Sequence, residues 1–243
     1  MSLESERFTT EFIPPWVKAE HLARFEFACE FVKDKIVIDC ACGSGIGSQM
    51  FAKAGAQKIY AFDLSADAIK SAQKKFKQPN LFFQTADATN LPLPDHSADI
   101  YISFETIEHL PDAKKFLQEV KRILKPSGIF ICSTPNRTVT NPNTKITDKP
   151  WNKFHICEYT QEEFTDLLKK YFSNVELYGQ NKISKIKTAI INFTAKLFGT
   201  HASVRLQQIM KLPRFIFDAK NNHAVVPIPP NKTCEYLVNI CKT

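Results

Sequence analysis

No apolar run in the 243 residues approaches the roughly 20 that a membrane-spanning helix needs, so no helical span is expected. The opening MSLESERFTTEF lacks the basic stretch and apolar core of a secretory signal, and its Met1-Ser2-Leu3 reads as a candidate cloning leader. No Cys-x-x-Cys pair occurs among the seven cysteines at 29, 40, 42, 132, 157, 234 and 241. Cys40-x-Cys42 has no further His or Cys at zinc-finger spacing, so no metal is expected. An odd cysteine count, with Cys40 and Cys132 in apolar strand-like runs, reads as free thiols and a cytoplasmic, reducing setting. Internal repeats and low-complexity tracts are also absent. What is present is ordinary for a soluble domain: 44% hydrophobic and 23% charged residues, in a length that suits one α/β domain with an appended lid. A chain of that size buries a core without disulfide or metal staples.

The net charge of +7 belongs to one segment. Residues 182–222 carry Lys182, Lys185, Lys187, Lys196, Arg205, Lys211, Arg214 and Lys220 against the single acid Asp218, which leaves the remainder neutral. The excess is therefore an argument about that segment's partner rather than about the fold.

Strand-like and helix-like stretches alternate from residue 35 to 134, the pattern of parallel β/α winding. Strands are expected over Lys35–Cys40, Lys58–Asp63, Asn80–Thr85, Ala98–Phe104 and Gly128–Thr134, with helices over roughly 46–55, 66–77 and 112–125. Ser65 and Asp67 suit a helix start, and Lys125-Pro126-Ser127-Gly128 reads as a stop. Beyond a Pro/Asn/Thr-rich loop at 135–153, Thr160 followed by acids opens another helix. Asn174–Tyr178 and Thr233–Ile240 complete seven strands. Between them, Ile183, Ile186, Ile190, Phe193 and Leu197 follow the rhythm of an amphipathic helix, and a second helical stretch, 202–212, ends at Pro213. The chain is read as one domain, with residues 1–34 as an N-terminal helical cap and 182–226 as a basic helical insertion serving as a lid.

The chemistry concentrates in Val37-Ile38-Asp39-Cys40-Ala41-Cys42-Gly43-Ser44-Gly45-Ile46-Gly47. A strand runs into a glycine turn and a helix, and the acid Asp63 ends the next strand. Glycines let backbone approach a ligand closely, and such an acid accepts hydrogen bonds from ribose hydroxyls. The spacing Gly43-x-Gly45-x-Gly47 is not the GxGxxG of a pyrophosphate-binding helix. Asp87, closing the third strand before Leu91-Pro92-Leu93-Pro94-Asp95, can accept from an adenine amino group. Three acids ending three successive strands would line the sheet edge where open α/β sheets bind ligands. Together these favour S-adenosylmethionine over a dinucleotide; loop solubilisers and helix caps would explain any one acid but not the set.

The segments VIDCACGSGIGS, AFDLS, TADATNLPLPD, ISFETIEHLPD and LKPSGIFICSTPN resemble the successive motifs of class I S-adenosylmethionine-dependent methyltransferases. The variant is similar to those associated with glycan and polysaccharide biosynthesis and to the ubiquinone-biosynthesis type, and the likeness runs over roughly 7–178, including NKFHICEYTQEEF. The resemblance implies a Rossmann-like seven-stranded sheet, mostly parallel, with a reversed last strand and helices on both faces. It also implies that Asp39, Ala41, Gly43 and Gly45 cradle the methionine part, that Asp63 and Leu64 take the ribose and Asp87 and Ala88 the adenine, and that Phe104 and Glu105 lie beside the cofactor. Ala41 departs from the family's usual glycine, which a negative φ would tolerate.

For a hydroxyl acceptor, a general base is needed near the methyl. His109, after the fourth strand, and His155, in the loop after the fifth, are the candidates; each alternatively shapes its loop. Glu108 suits the task less, and His21, His96, His201 and His223 are read as surface residues. The basic insertion suits a lid, or contact with an anionic membrane or lipid-linked substrate; no stacking platform for nucleic acid is present. The expected function is methyl transfer to a small-molecule or glycan acceptor, at oxygen rather than nitrogen. The alternatives are an NAD-dependent oxidoreductase, for which Tyr178-x-x-x-Lys182 comes too late, and a non-catalytic cofactor- or membrane-binding module.

Overall fold

The computed structural model describes residues 15–183, 185–199, 223–228 and 233–243. The second helical stretch at 202–212 and His201 lie outside the described residues. A helix α1 (Pro15–Cys29) precedes β1 (Ile36–Cys40), α2 (Ile46–Lys53), β2 (Lys58–Asp63), α3 (Ala66–Lys75) and β3 (Leu81–Thr85). Then come β4 (Ala98–Phe104), a 3₁₀ turn at Ile107–His109, α4 (Ala113–Ile123), β5 (Leu124–Pro135), a short α5 (Arg137–Thr140) and α6 (Gln161–Lys169). The chain closes with β6 (Asn174–Ile183), α7 (Lys185–Phe198), β7 (Val226–Pro227) and β8 (Thr233–Lys242).

The strand order is β3-β2-β1-β4-β5-β8-β6-β7. Strands β3, β2, β1, β4 and β5 are parallel, and β8 is antiparallel to both its neighbours, the reversed last strand. Among the described residues the sheet has eight strands where seven were expected. The eighth is the two-residue ribbon Val226–Pro227, which pairs along the outer edge of β6 in a proline-rich segment that does not read as a strand. Side chains alternate across the sheet with the period of two that a strand imposes. Val37 and Ile100 join the core beneath α1, α2 and α3, whereas their successors Ile38 and Tyr101 join the opposite core with Phe116, Phe130 and Phe164. Truncating one of these buried rings removes about 3–5 kcal/mol.

Local chemistry sets the helix starts. Ser65 accepts from Ala68 N at the head of α3, Asp112 caps α4, and Thr160 and Glu163 form a complete capping box on α6. The stop at Lys125–Gly128 is a correction: α4 ends earlier, at Ile123, because Leu124 is fully buried, turns extended and already pairs with Ala98 as the first residue of β5. In α7, Ile191 and Ala195 face inward, and Ile190, Phe193 and Leu197 are exposed. Ile183 belongs to β6 and is buried. Among the described residues no helix is long and apolar enough to cross a membrane.

Candidate active site

The strand order reverses between β1 and β4, since the chain leaves β1 towards β2 and β3 and returns on the other side. That switch opens a crevice at the carboxyl ends of the parallel strands, the usual ligand position in open α/β sheets. Asp39 is the penultimate residue of β1, Asp63 ends β2 and Phe104 ends β4. Asp63 is nearly buried and uses both oxygens to tie the rim together: Oδ2 accepts from Gly43 N at 2.9 Å and Oδ1 from Ser65 N at 2.8 Å. Asp39 accepts from Ser48 Oγ at 2.5 Å. Burial, reinforced by the Asp63 charge, pushes its carboxyl up to about 7 against the pull of Ser48.

The glycine turn is closed on one side and open on the other. A Cβ on Gly45 (φ +76°) would come within 2.7 Å of the Phe83 ring, so only glycine fits there. A Cβ on Gly43 would meet nothing within 4 Å. Beside this open space Leu64 is 72% exposed. Ala41 has φ +62°, the left-handed conformation, so the negative φ that would tolerate its methyl without strain is not met. The chain must turn sharply out of β1 while Cys42 N reaches Phe62 O at 2.8 Å, and that reversal forces the angle. Glu105, directly after β4, is left-handed too, at +50°. Each such non-glycine residue costs on the order of 1–3 kcal/mol, and such strain gathers at functional sites.

Beyond Glu105 the 3₁₀ turn carries Glu108 and His109. The loop after α5 folds back on it, with Ile156 N and Cys157 N both donating to Glu108 O. This brings the His109 and His155 rings edge to face, centroids 4.8 Å apart. His109 Nδ1 lies 3.1 Å from Phe154 O, which makes Nδ1 the protonated nitrogen. His155 Nδ1 lies 2.5 Å from Glu158 Oε1, and its Nε2 is 2.9 Å from the Asn152 amide nitrogen. Burial alone would raise Glu158, but hydrogen bonds from His155, Thr140 and Asn141 hold its carboxyl below the ordinary value. Glu108 is fully buried; Oε2 accepts from Thr134 Oγ1 at 3.0 Å and Oε1 has no partner. Burial, and after it the neighbouring Glu105 charge, pushes this carboxyl well up. Glu105 itself is anchored by Ser133 Oγ at 2.6 Å.

A family model described as "Methyltransferase domain" matches residues 38–132, the stretch that builds this rim. A probable S-adenosylmethionine-dependent methyltransferase of Mycolicibacterium smegmatis is 35% identical over 140 residues, 58% of this chain and 52% of that protein. Over residues 38–132 the chain is thus similar to methyltransferase domains, and the relatives it matches in sequence include proteins named as S-adenosylmethionine-dependent methyltransferases. A ubiquinone/menaquinone biosynthesis C-methyltransferase of Caulobacter vibrioides is 35% identical over 124 residues, 47% of this chain and 49% of that protein. The matches thus span about half the length of these curated relatives. In fold, the chain matches the crystal structure of a possible histamine N-methyltransferase of Thermotoga maritima with a TM-score of 0.62, at 16% identity and over 93% and 92% of the two chains.

S-adenosylmethionine is the cofactor named for these relatives, and the rim has features that fit it. The space over Gly43 is one that a side chain would fill, with a buried acid at each edge. Asp87 stands further out, exposed, with Oδ1 accepting from Thr89 N and Oγ1; Ala88 packs half-buried beside it. Two residues mattered more than their sequence context signalled: Glu158 and Asn152, which clamp His155. Their i+3 and i−3 offsets from His155 are the only hint. His21 and His223, read as surface residues, are instead half-buried and hydrogen-bonded. His21 lies 3.1 Å from Arg24, and burial, then the Arg24 charge, lowers its imidazole to about 3. His223 Nδ1 meets Asn181 Oδ1 at 3.1 Å in a buried network with Glu20, Gln180 and Glu235. His96 is exposed.

Proposed function

We propose that this chain transfers a methyl group from S-adenosylmethionine to the oxygen of a small-molecule or glycan acceptor. The observation that carries the reading is one rim holding both the acid-edged space over Gly43 and an imidazole pair 4.8 Å apart. When bound, the cofactor supplies a sulfonium methyl, so the chain's own work is to align the acceptor, exclude water and draw the proton from its hydroxyl. Asp39, Ala41, Gly43 and Gly45 hold the amino-acid end, Asp63 and Leu64 the ribose, Asp87 and Ala88 the base, with Phe104 and Glu105 alongside. With Nδ1 of His109 on a carbonyl and Nδ1 of His155 on a carboxylate, the basic nitrogen of each ring is Nε2. His109 and His155 promote loss of the hydroxyl proton, an effect of about 100- to 10,000-fold. One relative is named a C-methyltransferase; paired imidazoles favour oxygen here, because a hydroxyl must shed a proton to attack.

Calorimetry with S-adenosylmethionine and with NAD, followed by a methyl-release assay on candidate sugars and phenols, tests the reading. Binding of NAD alone would replace it with the oxidoreductase. Cofactor binding without turnover on any acceptor would favour the non-catalytic module. Tyr178 and Lys182 both sit on β6, which argues against a helical dehydrogenase pair. The segment 182–226 is read as the lid. Exposed Ile190, Phe193 and Leu197 beside exposed Lys196 support its touching an anionic membrane or a lipid-linked acceptor. Absence of salt-sensitive co-sedimentation with anionic liposomes would remove that contact.

A further inference from the structure

We propose that Glu108, His109 and His155 form a divalent-cation site that faces the acceptor. The oxygen of Glu108 and one nitrogen of each histidine all lie within 4.8 Å of one another. Three donors on one ion with bonds of about 2.1 Å stand about 3.0–3.4 Å apart, so side-chain rotations that move donors by about an ångström close the cluster around an ion. One carboxylate and two imidazoles are a donor set for borderline ions such as zinc, manganese or ferrous iron, and three protein ligands leave positions open for substrate.

Three features point to a ligand rather than to ordinary packing. Glu108 is fully buried and its Oε1 is without a hydrogen-bond partner, an expensive arrangement unless a cation meets it. The charges acting on Glu108, from Glu105 and Glu158, are negative as well, and a cation offsets all three. Finally, ligation through Nε2 leaves each Nδ1 held by the protein, that of His109 at Phe154 O and that of His155 at the Glu158 carboxylate. That is how metal-bound histidines are held by their surroundings. Ligation by His155 Nε2 requires the Asn152 amide to give way.

The acceptor role of this ion rests on the methyltransferase reading. A hydroxyl bound to the cation loses its proton to bulk water more readily. Its oxygen then forms the new O–C bond as the C–S bond breaks and the electron pair leaves on sulfur. His109 and His155 thus promote deprotonation through the ion they hold. Such an ion selects acceptors with two adjacent oxygens, a vicinal diol or catechol, that can chelate it.

The test uses the untagged full chain with Mn²⁺, followed by electron paramagnetic resonance, and with Zn²⁺ by calorimetry. One ion per chain is expected, with affinity lost at least about tenfold in Glu108→Gln and in His109→Gln. Glu158→Gln, which touches no ion, weakens binding by about 10- to 100-fold through His155. Glu176→Gln, at a surface ion pair with Lys242, leaves it unchanged. Circular dichroism establishes that each variant is folded. Wild-type binding no tighter than that of folded Glu108→Gln or His109→Gln overturns the site. S-adenosylmethionine binding and turnover that survive EDTA, without ion binding, overturn the inference and leave the methyltransferase reading standing. Ion binding without cofactor binding supports the site and sinks that reading.

Discussion

The space over Gly43 is bounded by one stretch of chain, from Asp39 to Ser65, whose hydrogen bonds span 2, 9 and 20 residues. The imidazole cluster at the other end of the crevice is assembled from afar. His109 meets a carbonyl 45 residues away, and Glu108 takes a hydrogen bond from Thr134, 26 residues on. The first region is fixed by β1, the glycine turn, α2 and β2, consecutive along the chain; the second exists only once the loop after α5 has docked. A site divided in this way can keep its donor half constant while the acceptor half is rebuilt by loop changes.

Substitutions should separate the two halves. His109→Ala is expected to lower kcat by about 100- to 10,000-fold while calorimetry shows unchanged cofactor affinity. Loss of cofactor binding in the folded variant would mean that the halves are not independent. Asp63→Ala should do the reverse, weakening S-adenosylmethionine by about 10- to 100-fold as a charged hydrogen-bond partner is removed. Unchanged affinity would move the donor site elsewhere.

A pH titration sharpens the comparison further. Burial holds the Asp39 carboxyl up near 7, so it is ionised only above that value in the free protein. A cofactor ammonium binds the ionised form, and cofactor affinity should therefore rise by about tenfold between pH 6 and pH 8. Asp39→Asn should flatten the curve. The same raised value has the opposite sign for stability: the folded chain keeps a proton that the unfolded chain releases between 3.8 and about 7, so this contribution is lost as pH rises through that window. His21 works the other way. With its folded value lowered from 6.5 to about 3, the unfolded chain takes the proton first, and stability falls as pH drops below 6.5.

What the sequence made legible follows the same division. Asp39, Asp63 and the glycine turn lie close along the chain, on strands whose β-branched runs mark them, so their meeting could be read directly. Strand β4 was placed to the residue for the same reason. The pairing of His109 with His155 could not be derived from spacing, because it depends on how a Pro/Asn/Thr-rich loop folds. Nor could the burial of Glu108, a residue type whose composition argues for the surface. In α7 the periodicity revealed an apolar stripe, yet Ile190, Phe193 and Leu197 look outward, since periodicity identifies a face without saying what covers it. His21 and His223 were misread because a lone polar residue carries no sign of a buried network.

Ala41 is where the donor half departs from its own logic, and it yields the smallest effect and the cleanest one. A left-handed alanine costs about 1–2 kcal/mol relative to its preferred conformations, and a glycine there gives back about 0.5–1 kcal/mol in unfolded-chain entropy. Ala41→Gly should therefore stabilise the chain by about 0.5–1 kcal/mol, near 2 °C in Tm for a domain of this size. The substitution removes only a methyl that faces outward from an exposed position, so no packing is lost. Cofactor affinity should hold or improve, because the turn is released from strain without altering Asp39 or Gly43. A folded Ala41→Gly chain that is less stable than the parent would show that the methyl makes a contact worth more than the backbone angle it opposes, and the strain assigned to this rim would have to be withdrawn.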